Sequence, residues 1–289
     1  PRPSVEHNLV TMRQLGRMVA AYKTGRLGEG LDEIIPTDSR VAHTYSVGVM
    51  REKAAALLDF ARDTAPQLLP RDVVDHPTFL SSDLEAQILH TSLYYQEMLD
   101  RMCANPDYVA YAHPNLNADN AWWFVDKESK ELDCGVLDWG GFKARPIAFH
   151  LKMALGAAGY ELFEQHGEKL LTMFIDSCIE EGGPKYDLDE IKLQMTLART
   201  MMVHAIASAV DTILRDTPRE EWDSIKDRRD PRVEGRFLVR CYSHAVIDLV
   251  AGWLHQHTYE VFRRWCTAEC LPMKTVEDAA ASELDVSLS

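Results

Sequence analysis

The sequence predicts a mainly α-helical chain that carries one small β-hairpin unit. Three observations predict it. Apolar residues recur at helical spacing before residue 104 and again after Pro146, the period changes in a short central stretch, and 46% of the 289 residues are hydrophobic, enough to fill a core.

The helical stripes come first. Leu9, Met12, Leu15, Gly16, Val19 and Tyr22 share one face, and Gly25, Gly28 and Gly30 end the pattern. Val47, Met50, Ala54, Leu57, Leu58 and Ala61 form a second stripe, stopped by Pro66 and Pro70. Leu84, Ile88, Tyr95, Met98, Leu99 and Met102 form a third. Three short runs rich in aromatic and β-branched residues follow, at 108–113, 121–125 and 132–139, separated by polar turn sequences at 115–120 and 126–130.

Beyond Pro146 the helical period returns. Asp187 with Glu190 reads as a capping box. It opens a stripe through Ile191, Met195, Ala198, Met202, Ala205 and Ala209, which Asp216-Thr-Pro218 ends. Leu238, Tyr242, Ala245, Leu249 and Trp253 begin the next. The residues after Pro272 are small, acidic and Ser-rich, as a frayed tail would be. No repeat and no linker is legible. The expectation is one domain over 1–270, made of a helical part (1–104), a central β-unit (105–145) and a second helical part (146–270), with a flexible acidic tail at 271–289.

Composition narrows the function classes. Lys and Arg total 31 against 45 Asp and Glu, a formal charge of −14. A non-specific nucleic-acid binder needs a basic face to displace counterions, and an anionic membrane surface repels acid. Residues 1–104 hold 11 basic and 14 acidic groups and residues 105–289 hold 20 and 31, so the acid excess lies with the second part. No apolar run reaches the roughly 18 residues of a membrane span, and His244, Asp248, His255 and His257 interrupt the most apolar stretch. No membrane insertion and no nucleic-acid partner is expected. No signal peptide is readable before the first helix. The six cysteines are scattered in apolar context, which suits buried thiols of a reducing, intracellular compartment.

The chemistry concentrates in His113-Pro-Asn-Leu-Asn-Ala-Asp-Asn120 and Gly135-Val-Leu-Asp-Trp-Gly-Gly-Phe142. These segments resemble the aminoglycoside phosphotransferase and choline kinase-like family, a branch of the protein-kinase-like fold. That family carries His-Gly-Asp-x-x-x-x-Asn, then a strand, a turn, and an Ile-Asp-Trp or Ile-Asp-Phe motif. The resemblance implies a kinase-like C-terminal lobe, with Mg²⁺ and ATP as possible cofactors. By position, Asn120 and Asp138 would hold the metal and His113 would shape the loop.

Two departures from the family pattern bear on activity. Asn115 occupies the catalytic aspartate position, and an amide accepts no proton at neutral pH, so roughly 10²–10⁴-fold of general-base assistance is missing. Pro114 replaces the usual Gly and stiffens the loop. Asp119, four positions along, is the possible substitute. Moreover, only helical pattern precedes His113, so a β-rich N-lobe is expected to be absent, degenerate or upstream of residue 1. The glycines at 25, 28 and 30 follow a helix rather than a strand and read as a terminator, not a phosphate loop.

Other residues have plainer readings. Trp122, Trp123 and Phe124 read as strand core or interface. His255, His257, Cys266 and Cys270 match no standard zinc spacing. Arg228, Arg229 and Arg232 interleave with acids as in a salt-bridged loop. Glu161, Glu164 and Asp211 are acids that the resemblance would allow near an acceptor site. Two functions follow. The favoured one is a catalytically impaired kinase-fold binding or scaffold subunit, whose companion is a protein partner or its own upstream N-lobe. The alternative is an active small-molecule phosphotransferase acting on a hydroxyl acceptor, cationic in character.

Overall fold

The computed structural model describes residues 4–28, 30–31, 42–156 and 158–287. It is mostly helical, 65%, with a few small antiparallel strands. In chain order the described elements begin with α1 (Val5–Lys23), α2 (Val47–Asp59), the short α3 (Arg71–Val74) and α4 (Pro77–Leu80), α5 (Asp83–Ser92) and α6 (Tyr95–Cys103). Strands β1 (Val109–Ala112), β2 (Ala121–Val125), β3 (Leu132–Val136) and β4 (Lys143–Pro146) follow. Then come α7 (Ile147–Leu155), α8 (Tyr160–Glu180), α9 (Leu188–Met201), α10 (Val203–Asp216), the short α11 (Arg219–Trp222) and α12 (Pro231–Glu234), α13 (Phe237–His255), α14 (Thr258–Ala268) and α15 (Val276–Ser287). The described residues fall into two compact units, one within 1–42 and 97–198, the other within 43–96 and 199–289.

The first unit is built around α1. Ser4 caps it by accepting from the His7 N–H, and Gly25, at φ +75°, turns the chain out of the helix as its glycine pattern predicts. Met12, Leu15 and Val19 are fully buried, and the helix packs closely on α8, whose Leu170, Leu171 and Phe174 are equally buried. The approach is tight because Gly16 has no side chain: a Cβ there would lie 2.5 Å from the Phe174 carbonyl oxygen. The polar side of α1 holds the hairpin. Arg13 donates to the Leu132 carbonyl, Arg17 lies 3.2 Å from the Asp133 carboxylate, and the Trp123 indole donates to the His7 carbonyl at 3.2 Å.

The β-unit is two two-stranded antiparallel sheets, one nested in the other. β1 pairs with β4 from Val109 opposite Pro146 to Ala112 opposite Lys143, and β2 pairs with β3 from Ala121 opposite Val136 to Val125 opposite Leu132. The sequence did not announce β4, because Lys-Ala-Arg-Pro carries neither β-branched nor aromatic residues; its pairing with β1 supplies what local propensity does not.

In the second unit α10 packs on α2 and α13, and Phe60 meets Trp222 edge-on at 5.3 Å. The third stripe, read as one helix, divides into α5 and α6. Thr91 and Ser92 bond back to the Ile88 and Leu89 carbonyls, and the Tyr94 hydroxyl is held by the Pro272 carbonyl and the Lys274 N–H. The 191–209 stripe likewise divides, at Met202. The acidic tail, expected to fray, forms α15, and the Glu283 carboxylate accepts the Val47 N–H at the start of α2, a helix N-terminus that attracts an anion. Helix α13 is long and apolar enough to cross a membrane by length and composition, but 56% of its most apolar window is buried inside the structure, as in a core helix. That is compatible with no membrane insertion.

Candidate functional site

Strand pairing brings the two motif loops together. The loop at 113–120 joins β1 to β2, and that at 137–142 joins β3 to β4, so both emerge at the same end of the nested hairpins. The Leu137 N–H donates to the Asn120 carbonyl at 2.9 Å, which extends the β2–β3 ladder by one step. Asn120 and Asp138 are therefore one residue out of direct register.

His113 ties the loops to each other. It is fully buried, and its Nδ1 accepts the Asn115 N–H at 3.2 Å. Its Nε2 then carries the proton and donates toward the Leu137 and Asp138 carbonyls, at 2.8 and 2.7 Å. Through its two ring nitrogens His113 thus bridges the first loop to the second. Below it lies His150, fully buried on α7, with Nδ1 3.0 Å from the His113 carbonyl and Nε2 3.0 Å from the Ala110 carbonyl. Burial first, then the nearby Arg145 cation, push its pKa down to about 4, so the neutral ring donates only one of the two bonds.

Asparagines wire the rest of the first loop. The Asn117 amide donates to Asn115 Oδ1 at 2.8 Å, and the Asp119 N–H donates to Asn117 Oδ1 at 2.9 Å. Asn120 Nδ2 donates to the Asn115 carbonyl at 2.8 Å, which leaves Oδ1 as the amide's remaining donor atom for a cation. Leu116 plugs the loop into the core. Asn115 thus spends its side-chain oxygen inside the loop, while Asp119 is exposed at its tip.

Asp138 is exposed and adopts φ +56°, a left-handed conformation that costs a non-glycine residue about 1–2 kcal/mol. The His113 bond to its carbonyl, the Gly140 N–H on its carboxylate at 3.4 Å and Gly141 at φ +76° hold it there. Strain of this kind concentrates at sites with a function. Trp139 packs edge-on against His113, ring centres 5.1 Å apart, and against Phe142.

The donor set suits one class of metal. An amide oxygen and a carboxylate are hard ligands, and Mg²⁺ takes one or two such groups and completes its shell with water and phosphate. Among the described residues no three His, Cys, Asp or Glu side chains are placed to hold a metal by themselves. His255 lies 3.0 Å from Asp72, and none of the six cysteines is in a disulfide. Arg232 pairs with Asp230 at 2.7 Å, in keeping with a salt-bridged loop. Glu161 and Glu164 lie on α8 in the first unit, whereas Asp211 belongs to the second, 3.4 Å from Lys53.

The hairpin face beside the loops is apolar and open. Along β2, Trp123 turns inward to α1, so Trp122 (63% exposed) and Phe124 turn outward and touch each other. In the second loop Leu137 and Trp139 (47% exposed) are exposed apolar residues as well. Of the three aromatics, Trp123 alone is part-buried, with its indole bonded to α1. Sequence reasoning passed over His150 and Arg145. A histidine amid the apolar run Ile147–Leu155 was the available signal for the first; for Arg145 there was none. Comparison with family models, with curated proteins and with solved structures finds no match for this chain.

Proposed function

We propose that this chain is a kinase-fold protein of impaired catalysis that acts as a binding or scaffold subunit. The observation that carries the reading is the pair of cross-linked loops: an amide where a proton acceptor is needed, its oxygen already bonded to Asn117, beside a strained, exposed Asp138. The exposed, touching pair Trp122 and Phe124, with Leu137 and Trp139 exposed in the second loop, supports a role in binding, because exposed aromatics beside a site are characteristic of interaction surfaces. A reducing intracellular setting belongs to the same reading.

A second reading, an ATP-dependent phosphotransferase acting on a small hydroxyl acceptor, is favoured by Asp119 at the exposed loop tip and by the hard donors Asn120 and Asp138. Thermal melts with and without Mg²⁺-ATP, repeated on Asp138→Ala, separate the two. A shift that disappears in the variant supports nucleotide binding at these loops. Absence of any shift in the parent rules out the phosphotransferase for this chain. Where nucleotide binds, a gain of ATPase activity in Asn115→Asp identifies the amide as the disabling change.

A further inference from the structure

We propose that Arg145 and Lys143, on one face of β4, form a binding site for a phosphate group at the root of the two loops. The argument starts from charge. In this unit Arg13 and Arg17 meet Asp133, and Arg101 meets Glu190 at 2.6 Å. Arg145 is part-buried like them and, among the described residues, meets no carboxylate. Its Nε is sealed from solvent with no hydrogen-bond partner. Among the described residues no acceptor bonds the two terminal nitrogens, which are not among the sealed atoms, and the residue as a whole is only partly buried. Burial lowers its pKa, and among the described residues no acid opposes that effect.

A part-buried cation without a counter-charge is costly, and in a chain of charge −14 carboxylates are plentiful. Arg13, Arg62 and Arg199 also have a buried Nε without a partner, but their terminal nitrogens bond to protein acceptors; among the described residues those of Arg145 do not, a feature of the kind a bound ion explains. Lys143 lies two residues away, so strand alternation puts it on the same face, and it is exposed. Opposite them in β1 stand Ala112 and Ala110, both buried, so the accessible part of this face is what Lys143 and the outer end of Arg145 themselves present. Ala112 directly precedes His113, and Arg145 acts on buried His150, so a bound anion would lie against the base of the loop pair. A planar fork beside an ammonium suits a phosphate group, which carries more than one negative charge and several acceptors. The site requires neither Mg²⁺ nor Asp138.

The test is titration with inorganic phosphate in EDTA at constant ionic strength, followed by ³¹P line broadening and by the melting temperature, with chloride as reference. Metal-dependent nucleotide binding contributes nothing under these conditions, so the result stands apart from the fate of the functional reading. Phosphate is expected to bind the parent and Lys127→Gln alike and to bind Arg145→Gln about tenfold more weakly, the loss of one charge-assisted contact. Lys143→Gln, an exposed change that leaves the fold intact, is expected to weaken binding about threefold. Parent protein that binds no phosphate at about 10 mM overturns the proposal, as does unchanged binding in Arg145→Gln, or in Lys143→Gln should the former fail to fold.

Discussion

Replacing Gly16 with Ala tests the packing on which the site rests. The new Cβ would lie 2.5 Å from the Phe174 carbonyl oxygen, 3.0 Å from Ser177 Cβ and 3.1 Å from the Cys178 nitrogen. Two of these are backbone atoms of α8, so no side chain can swing away and the helices must separate. Overpacking of this kind costs about 1–3 kcal/mol. Removing a helical glycine returns up to about 1 kcal/mol, so the net loss is about 1–2 kcal/mol. For a chain of this size that corresponds to a fall in Tm of about 3–6 °C. Gly48→Ala is the matched control. Its Cβ meets only Ser46 Oγ, at 3.9 Å, so the same substitution in α2 should raise stability by about 0.5–1 kcal/mol. Calorimetry and urea titration of both variants read the difference in sign. Equal effects of the two substitutions, or a Gly16→Ala protein as stable as its parent, would refute the close approach of α1 and α8.

Three further outcomes are expected. The His150 pKa is depressed below its ordinary value, so the unfolded chain binds the extra proton between pH 6.5 and about 4. Stability from this group is complete above pH 6.5 and falls by up to about 3 kcal/mol as pH drops through that window. Tm measured against pH should therefore be flatter in His150→Gln than in the parent, and parallel curves would contradict the assignment. Asp133→Ala removes the acceptor of Arg13 and Arg17 at the partly exposed junction of α1 and β3, and a loss of about 1 kcal/mol in urea titration is expected, reduced by salt. Trp122→Ser should change Tm little, because the ring is already 63% exposed, yet it should reduce binding of the apolar dye ANS or self-association; a large loss of stability would show the face to be covered.

Much of the fold was legible because helical period reflects which face is buried. The stripe from Leu9 to Tyr22 and its glycine stop reappear as α1 with Gly25 in the left-handed region. The Asp187 cap is present, its oxygen accepting the Glu190 N–H at 2.8 Å, but the Glu190 side chain turns to Arg101 instead of closing the box. A local motif cannot anticipate a competing cation from another helix. The same holds at Tyr94, where remote backbone groups hold the ring's hydroxyl and the stripe divides.

By itself, the sequence determined the make-up of the two candidate loops: Asn115, Asp119 beside Asn120, and Asp138 followed by Trp-Gly-Gly. Those are covalent facts, settled by residue identity and short spacing. Tertiary structure alone decided how they meet. The nested pairing of β1 with β4 and β2 with β3 brings loops more than a dozen residues apart to one end, buried His113 binds the carbonyls of one loop from the other, and Asn115 turns its oxygen inward. Among the described residues it also brings Arg145 no counter-charge, because ion pairing depends on what other segments place alongside. Local sequence records period and chemistry; long-range pairing assigns each polar atom its partner or leaves it without one.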